Sequence, residues 1–217
     1  MNSKKKSTIL IITALPFYLN DFSNIFIRHE LLWLTIDYGL KLLPLGYLFF
    51  LTGQGTLSRA DLGLVSLSKG RFLSWTAGMT VLGLCLDEPG FAFWNGILPS
   101  LRLGSIPIGP DSPLYMLDMT IGLALVAVAE EIIFRGLVFS ALKEKGYSTP
   151  AVFMTSAAIF GLIHWSQGPV ALAATAVTGS GLMLCMWKTG SVYPTIIAHF
   201  IINVLSFTGL ACEFWGL

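Results

Sequence analysis

Seven long apolar runs divide this sequence, and they constrain its fold more than any other feature. A helix needs roughly 20 mostly apolar residues to cross the hydrocarbon of a bilayer, where every backbone polar group must bond within its own segment. Hydrophobic residues make up 54% of the chain and charged residues 12%, whereas about 25% of residues are charged in a soluble domain. We therefore predict an all-α, multi-pass transmembrane helical bundle. The predicted spans are residues 8–27, 31–51, 72–86, 114–142, 150–165, 170–187 and 192–210.

Residues 1–217 are predicted to form a single membrane domain, because no internal repeat or low-complexity tract divides them. Residues 1–113 hold three spans and an extracytoplasmic loop, and residues 114–210 hold the polar motifs described below. The loop at residues 87–113 contains five prolines, which makes it too broken for a helix. It is also too apolar for a free linker, so we expect it to lie on the membrane surface.

Basic residues are distributed unevenly between alternate loops. The first apolar run follows three lysines, as in a signal peptide, but it lacks a small-residue cleavage site and is interpreted as a retained helix. Cytoplasmic loops carry the excess of Lys and Arg, so the count predicts a cytoplasmic N-terminus, with Arg28 and Arg102 outside. A multi-pass protein of the cell membrane is predicted, and the compact chain favours a bacterial inner membrane. The basic residues placed inside are Lys4, Lys5, Lys6, Arg59, Lys69, Arg71, Lys143, Lys145 and Lys188.

Charge and cysteine content argue against several classes of function. The net charge is +1 and no long basic block occurs, so no nucleic-acid partner is predicted. Cys85, Cys185 and Cys212 have no CxxC spacing, which argues against a disulfide framework or a zinc knuckle. The zinc-protease motif HExxH is absent, and the intramembrane aspartates Asp37 and Asp118 lack a GxGD setting.

Two carboxylates and a guanidinium lie within the fourth apolar run, in the stretch AEEIIFRG. Each ionised side chain costs roughly 2.5 to 3.5 kcal/mol at the centre of a membrane helix, so these three groups need compensation. Glu131 and Arg135 are four residues apart and can pair on one helical face. Glu130 is turned about 100° away from that face, and its partners are expected to come from other helices.

Two histidines and one asparagine supply those partners. His164 and His199 lie in the fifth and seventh apolar runs, and Asn203 follows His199 by four residues on the same face. At about 1.5 Å of rise per residue, these side chains and Glu130 reach overlapping depths. Any one of them alone is equally well explained as a hydrogen-bonding link between helices. Their convergence instead favours one functional polar centre near the middle of the membrane.

Two other patterns have simpler interpretations. Asp37 and Lys41 are four residues apart in the second span and are interpreted as a self-contained ion pair. Ala171, Thr175 and Gly179 form a small-residue stripe at every fourth position, which is typical of close helix packing in membranes.

The polar residues form three ordered motifs that resemble a known family. Residues 130–135 match EExxxR, residues 160–164 match FxxxH, and residues 199–203 match HxxxN. Together these motifs resemble the CPBP family of glutamic intramembrane proteases, which includes the type II CAAX prenyl endopeptidases and bacteriocin-processing or immunity proteins. The resemblance covers residues 114 to about 210, and residues 1–113 carry no motif of the family.

The resemblance implies a role for each motif residue. Glu130 and His164 would hold and activate the attacking water. His199 and Asn203 would donate to the oxyanion of the tetrahedral intermediate, and Glu131 and Arg135 would support the site. The implied activity is hydrolysis of a peptide bond without a cofactor. The substrate would be a membrane-associated protein or peptide, such as a lipidated tail, a leader or a C-terminal sorting signal, and the sequence does not choose among them.

Three alternatives remain open at the level of sequence. A zinc site is chemically conceivable, because two carboxylates and two imidazoles are acceptable zinc ligands. A proton-coupled transporter would use Glu130 and His164 as a proton relay. A non-catalytic membrane scaffold would use the same polar residues to fasten helices together. Nothing in the sequence determines the oligomeric state.

Overall fold

The computed structural model describes the backbone of residues 3–216 and the side chains of residues 5–216. This part of the chain consists of helices and turns and contains no strand, so the predicted all-α class is confirmed. The α-helices are α1 Ser3–Phe26, α2 Glu30–Gly53, α3 Lys69–Leu86, α4 Glu88–Asn95, α5 (residues 115–144), α6 Thr149–Leu162, α7 Pro169–Thr189, α8 Tyr193–Phe207 and α9 Leu210–Trp215. Short 3-10 turns occur at Arg59–Leu62 and Trp165–Gln167.

A helix occupies each of the seven predicted spans. Three segments are long and apolar enough to cross a membrane, namely Lys5–Phe26, Glu30–Gly53 and Pro169–Thr189. Helices α6 and α8 are apolar but shorter. Large apolar side chains are exposed on the outside of the bundle, Met154 at 74% for example, whereas Glu131 and Arg135 are fully buried. This arrangement is that of a multi-pass helical membrane protein, because lipid rather than water can solvate such an exterior.

Helix α5 is continuous but changes its hydrogen-bonding pattern along its length. It contains two π-helical segments, Asp118–Gly122 and Glu131–Leu137, between the α-helical segments Tyr115–Leu117, Leu123–Glu130 and Val138–Glu144. All seven residues of the second π segment are buried, and this segment contains the second glutamate and the arginine of EExxxR. π-Helical turns are rare and frequently mark functional sites.

The segment at residues 87–113 differs from its prediction, because its first part is the helix α4. Pro89 lies in the first turn of α4, where a proline does not remove a helical hydrogen bond. The remaining prolines follow the helix. The loop beyond α4 packs against α1 and the 3-10 turn at residues 165–167: the N–H of Leu103 donates to the carbonyl of Ser166 (2.8 Å), and the N–H of Ser105 donates to that of Asn24 (3.0 Å).

The helix in the fifth predicted span, α6, ends earlier than predicted. Helix α6 ends at Leu162 rather than at residue 165, so His164 lies in a turn and not within a span. The N–H of Ile163 donates to Phe160 (3.3 Å) and that of His164 to Gly161 (3.0 Å), an i to i−3 pattern that tightens and closes a helix. The turn then passes through Gly168, whose φ of 94° favours glycine.

Candidate active site

The two charges predicted to pair within α5 do so at the centre of the bundle. A guanidinium nitrogen of Arg135 lies 3.4 Å from Oε1 of Glu131, and both side chains are fully buried. The nitrogens of Arg135 have no hydrogen-bond partner among the described residues. The ion pair and an aromatic contact described below therefore hold this guanidinium in place.

Helix α8 brings a histidine to both carboxylates. Nδ1 of His199 lies 2.9 Å from Oε1 of Glu131, and its Nε2 lies 3.9 Å from Oε2 of Glu130. Because Glu131 is paired with Arg135, its carboxylate accepts, and Nδ1 of His199 donates to it. Such a bond fixes the orientation of an imidazole ring, and here it leaves Nε2 directed toward Glu130. The partner that Glu130 lacks within α5 therefore comes from another helix.

Phe160 in α6 is the residue around which the site packs. Its ring lies 3.7 Å from the guanidinium carbon of Arg135, in cation–π contact. Its ring centroid lies 5.1 Å from that of His164 and 6.4 Å from that of His199. Phe160 is the first residue of the FxxxH motif, and no role was predicted for it. Its place in FxxxH was the signal in the sequence, but the motif does not encode its contacts with Arg135 and His199, which lie on other helices.

His164 is held by a backbone carbonyl at the end of α6. Its Nδ1 lies 3.1 Å from the carbonyl oxygen of Phe160. Because a carbonyl oxygen only accepts, Nδ1 carries the proton in this bond, and Nε2 is an acceptor. The ring is half-buried and lines a cavity.

One cavity of about 960 Å³ connects four of the six predicted residues. Glu130, His164, His199 and Asn203 line it, whereas Glu131 and Arg135 do not. The side chain of Asn203 is half-buried, and its amide forms no hydrogen bond within the described part of the chain. The cavity volume lies within the range of ligand sites. The structure thus brings all six residues together, four at the cavity and two behind it.

The Asp37–Lys41 pair lies on the wall of the same cavity and is not self-contained. The two side chains form an ion pair, and the carboxylate of Asp37 also accepts from the amide of Asn20 at 2.6 Å. The hydroxyl of the adjacent residue Tyr38 donates to Asp118 of α5 at 3.4 Å. The prediction of a pair is confirmed, but its isolation is wrong, because α1 and α5 also place polar groups at this depth.

Of the small-residue stripe on α7, Gly179 packs closely as predicted, whereas Ala171 and Thr175 line the cavity. A Cβ built on Gly179 would lie 2.5 Å from Cδ1 of Phe160 and 3.2 Å from a nitrogen of Arg135. A Cβ on Gly161 of α6 would lie 2.8 Å from the carbonyl oxygen of Leu172 in α7. Glycine is required at both positions because no larger residue leaves room for the facing helix.

The three motifs and this buried centre lie in a part of the chain that is similar to a known family of membrane proteases. Residues 112–205 match the family described as type II CAAX prenyl endopeptidase Rce1-like. The resemblance predicted from the motifs is confirmed over residues 112–205, called the Rce1-like segment below, which contain all three motifs. Helices α1 to α4 lie outside the matched residues. No solved structure matches the chain.

Proposed function

We propose that this protein is a glutamic intramembrane endopeptidase that hydrolyses a peptide bond of a membrane-associated protein or peptide, without a cofactor. The observation that carries the proposal is the convergence of Glu130, His164, His199 and Asn203 on one cavity inside the helical bundle. The Rce1-like match supports a protease of the CAAX type at the level of the family. The glutamic mechanism is what the resemblance of the motifs implies, and the positions of these side chains support it.

Glu130 and His164 are proposed to activate the attacking water. The carboxylate of Glu130 and Nε2 of His164 are both acceptors at the cavity wall, so together they can bind the two protons of one water. As the water oxygen attacks the scissile carbonyl, Glu130 takes one proton as a general base. Glu130 then gives this proton to the leaving amine as the C–N bond breaks. Glu130 thereby returns to its carboxylate form.

Asn203 and His199 are proposed to stabilise the oxyanion. The amide of Asn203 is a donor with no partner within the described chain, and it faces the cavity. Since Nδ1 of His199 already donates to Glu131, Nε2 donates to an oxyanion only when the ring carries both protons. The carboxylates of Glu131 and Glu130 lie on either side of this ring, 2.9 Å from Nδ1 and 3.9 Å from Nε2.

Glu131 and Arg135 are proposed to position the site rather than to react. Neither lines the cavity. Glu131 orients His199, and Arg135 compensates the charge of Glu131 while it contacts the face of Phe160. Two paired charges cost less in a membrane interior than one unpaired charge.

The substrate is proposed to enter from the membrane. Proteases of this family act on membrane-associated peptides, and a lipidated tail, a leader and a C-terminal sorting signal all fit that description. We place the protein in the cell membrane, with a bacterial inner membrane favoured. The three substrate types are separated experimentally by offering one peptide of each kind in liposomes.

Glu130→Gln tests the proposed mechanism on whichever peptide the parent protein cuts. Glutamine has nearly the same shape as glutamate but is not a general base, so kcat should fall by about 10²- to 10⁴-fold without loss of folding. Glu88→Gln is the matched control, because Glu88 also lines the cavity but lies outside the polar centre. Chelators should leave the parent activity unchanged. Stoichiometric zinc whose removal abolishes activity and whose return restores it would instead establish a metal mechanism.

A further inference from the structure

The turn that carries His164 is held by side chains of α1, a helix outside the Rce1-like segment. Because α6 ends at Leu162, the N–H groups of Ile163 and His164 make the last backbone bonds to this helix, and the backbone beyond His164 is held by other elements. Among the described residues, the ring of His164 forms its hydrogen bond and its aromatic contact with Phe160. The backbone orientation of this turn therefore depends on what its other residues bind.

Asp21 of α1 binds the turn directly. Its Oδ2 accepts the backbone N–H of Ser166 at 2.7 Å, and both residues are buried. A buried N–H requires a partner, and a bond to a carboxylate is short and strong compared with one to a neutral acceptor. This bond lies two residues from His164 along the chain.

Neighbouring side chains hold Asp21 in the orientation that this bond requires. The amide of Asn24 donates to Oδ1 of Asp21 (3.2 Å) and to the hydroxyl of Ser166 (3.4 Å). The indole N–H of Trp33 donates to the amide oxygen of Asn24 at 2.9 Å, which fixes the direction of that amide. The indole N–H of Trp165 adds a second bond from the turn to α1, at the carbonyl of Tyr18 (3.0 Å).

We infer that Asp21 is a positioning residue for His164: its bond to the N–H of Ser166 sets the turn so that Nε2 of His164 faces the cavity. The inference rests on the proposed function, in which His164 binds the attacking water. Displacement of a catalytic group by about 1 Å is enough to lower a rate 10²-fold. Asp21 also lines the cavity, and the role inferred for it is exerted through the turn.

Two substitutions of Asp21 separate the hydrogen bond from the charge. Asp21→Ala removes the acceptor, and kcat per folded molecule should fall by about 10- to 100-fold, with KM changed by no more than about twofold. Asp21→Asn keeps an acceptor oxygen and should recover most of the activity. Thr13→Ala is the matched control, since Thr13 is a buried polar residue of α1 whose hydroxyl bonds only carbonyls of its own helix.

A readout that does not use activity distinguishes failure of this inference from failure of the proposed function. In substrate-free protein, Asp21→Ala should speed hydrogen exchange at the amides of residues 164–168 and shift the ring NMR signals of His164, whereas Thr13→Ala should do neither. Unchanged exchange and ring signals in Asp21→Ala would overturn the inference. Changed signals with parent-like kcat would uphold the positioning and overturn the role of His164 in the proposed reaction.

Discussion

At the scale of single residues, the site depends on one aromatic ring that the sequence motif does not explain. Phe160 contacts Arg135, His164 and His199, so its position sets the positions of a charge and two imidazoles together. Gly179 of α7 lies directly behind this ring. The geometry of the site therefore requires a small residue at position 179, as does the packing of α7 against α6.

Gly179→Ala tests the position of this ring. The added Cβ would lie 2.5 Å from Cδ1 of Phe160, so the ring must shift, at a cost of about 1 to 3 kcal/mol in stability. We expect kcat to fall at least about tenfold, since catalytic groups displaced by an ångström lose up to 10² in rate. Gly46→Ala in α2 is the control: nothing lies within 4 Å of its added Cβ, and activity should be unchanged. Parent-like turnover in Gly179→Ala would show that the ring position is not critical.

At the scale of elements, the loop between α2 and α3 closes one end of the bundle next to the second π segment of α5. Its backbone at Leu62 lies against Gly136, where a Cβ would collide with the carbonyl. Asp61 in this loop binds Lys6 of α1 at 2.5 Å and Ser140 of α5 at 2.9 Å. Lys6 also pairs with Glu144 at 2.6 Å. This cluster ties three elements together at the end of the bundle that holds the N-terminus.

The polar cluster predicts a specific dependence of stability on pH. Burial alone would raise the pKa of Asp61, but hydrogen bonds from Lys6, Ser58 and Ser140 outweigh burial and hold the pKa well below its ordinary value. A lowered folded-state pKa adds stability above the unfolded value, and that stability is lost as the pH falls toward the folded value. The loss should therefore begin below about pH 4.

Thermal unfolding of parent and Asp61→Asn in detergent, from pH 6 to pH 3, measures this contribution. The variant should be less stable than the parent at pH 6, and the difference should shrink as the pH falls below about 4. Asp111→Asn, at an exposed aspartate, should follow the parent throughout. A difference that stays constant with pH would mean that Asp61 acts through packing and not through its charge.

At the scale of the whole molecule, the segments predicted to be cytoplasmic meet at one end of the helical bundle, and the loop predicted to be extracytoplasmic lies at the other end. Lys6, the α2–α3 loop and the end of α5 meet in the cluster at Asp61, and the turn after α7 joins the same end through the bond from the N–H of Val192 to the carbonyl of Gly63 (2.9 Å). The opposite end holds the loop beyond α4. The grouping of the basic residues is thus consistent with the fold, and the orientation in the membrane stays a prediction.

Cysteine labelling tests that orientation. In a variant without its three native cysteines, single cysteines at Lys69 and Lys145 should be protected from an impermeant thiol reagent in intact cells, and one at Ser105 should react. All three side chains are exposed, so permeabilised cells should show labelling at every position. The opposite pattern in intact cells would place the N-terminus outside.

The sequence alone determined the features that depend on neighbours along one helix. The apolar runs require helices because lipid offers no partner to backbone groups, and the spacing of Glu131 and Arg135 makes them neighbours in any single helix. The cost of charge in lipid indicated that further polar groups must surround Glu130. Each of these inferences needs only local geometry and the identity of the solvent.

The tertiary structure alone decided which helices face each other and at what rotation. Several contacts of the site join residues far apart in the chain. His199 contacts Glu131, Phe160 packs against Arg135, and Asp21 binds the turn after α6. Such contacts depend on packing between helices, which many weak dispersion contacts set together. The π segments of α5 and the early end of α6 also change which residues face the cavity, because each alters the rotation per residue that a regular helix would impose.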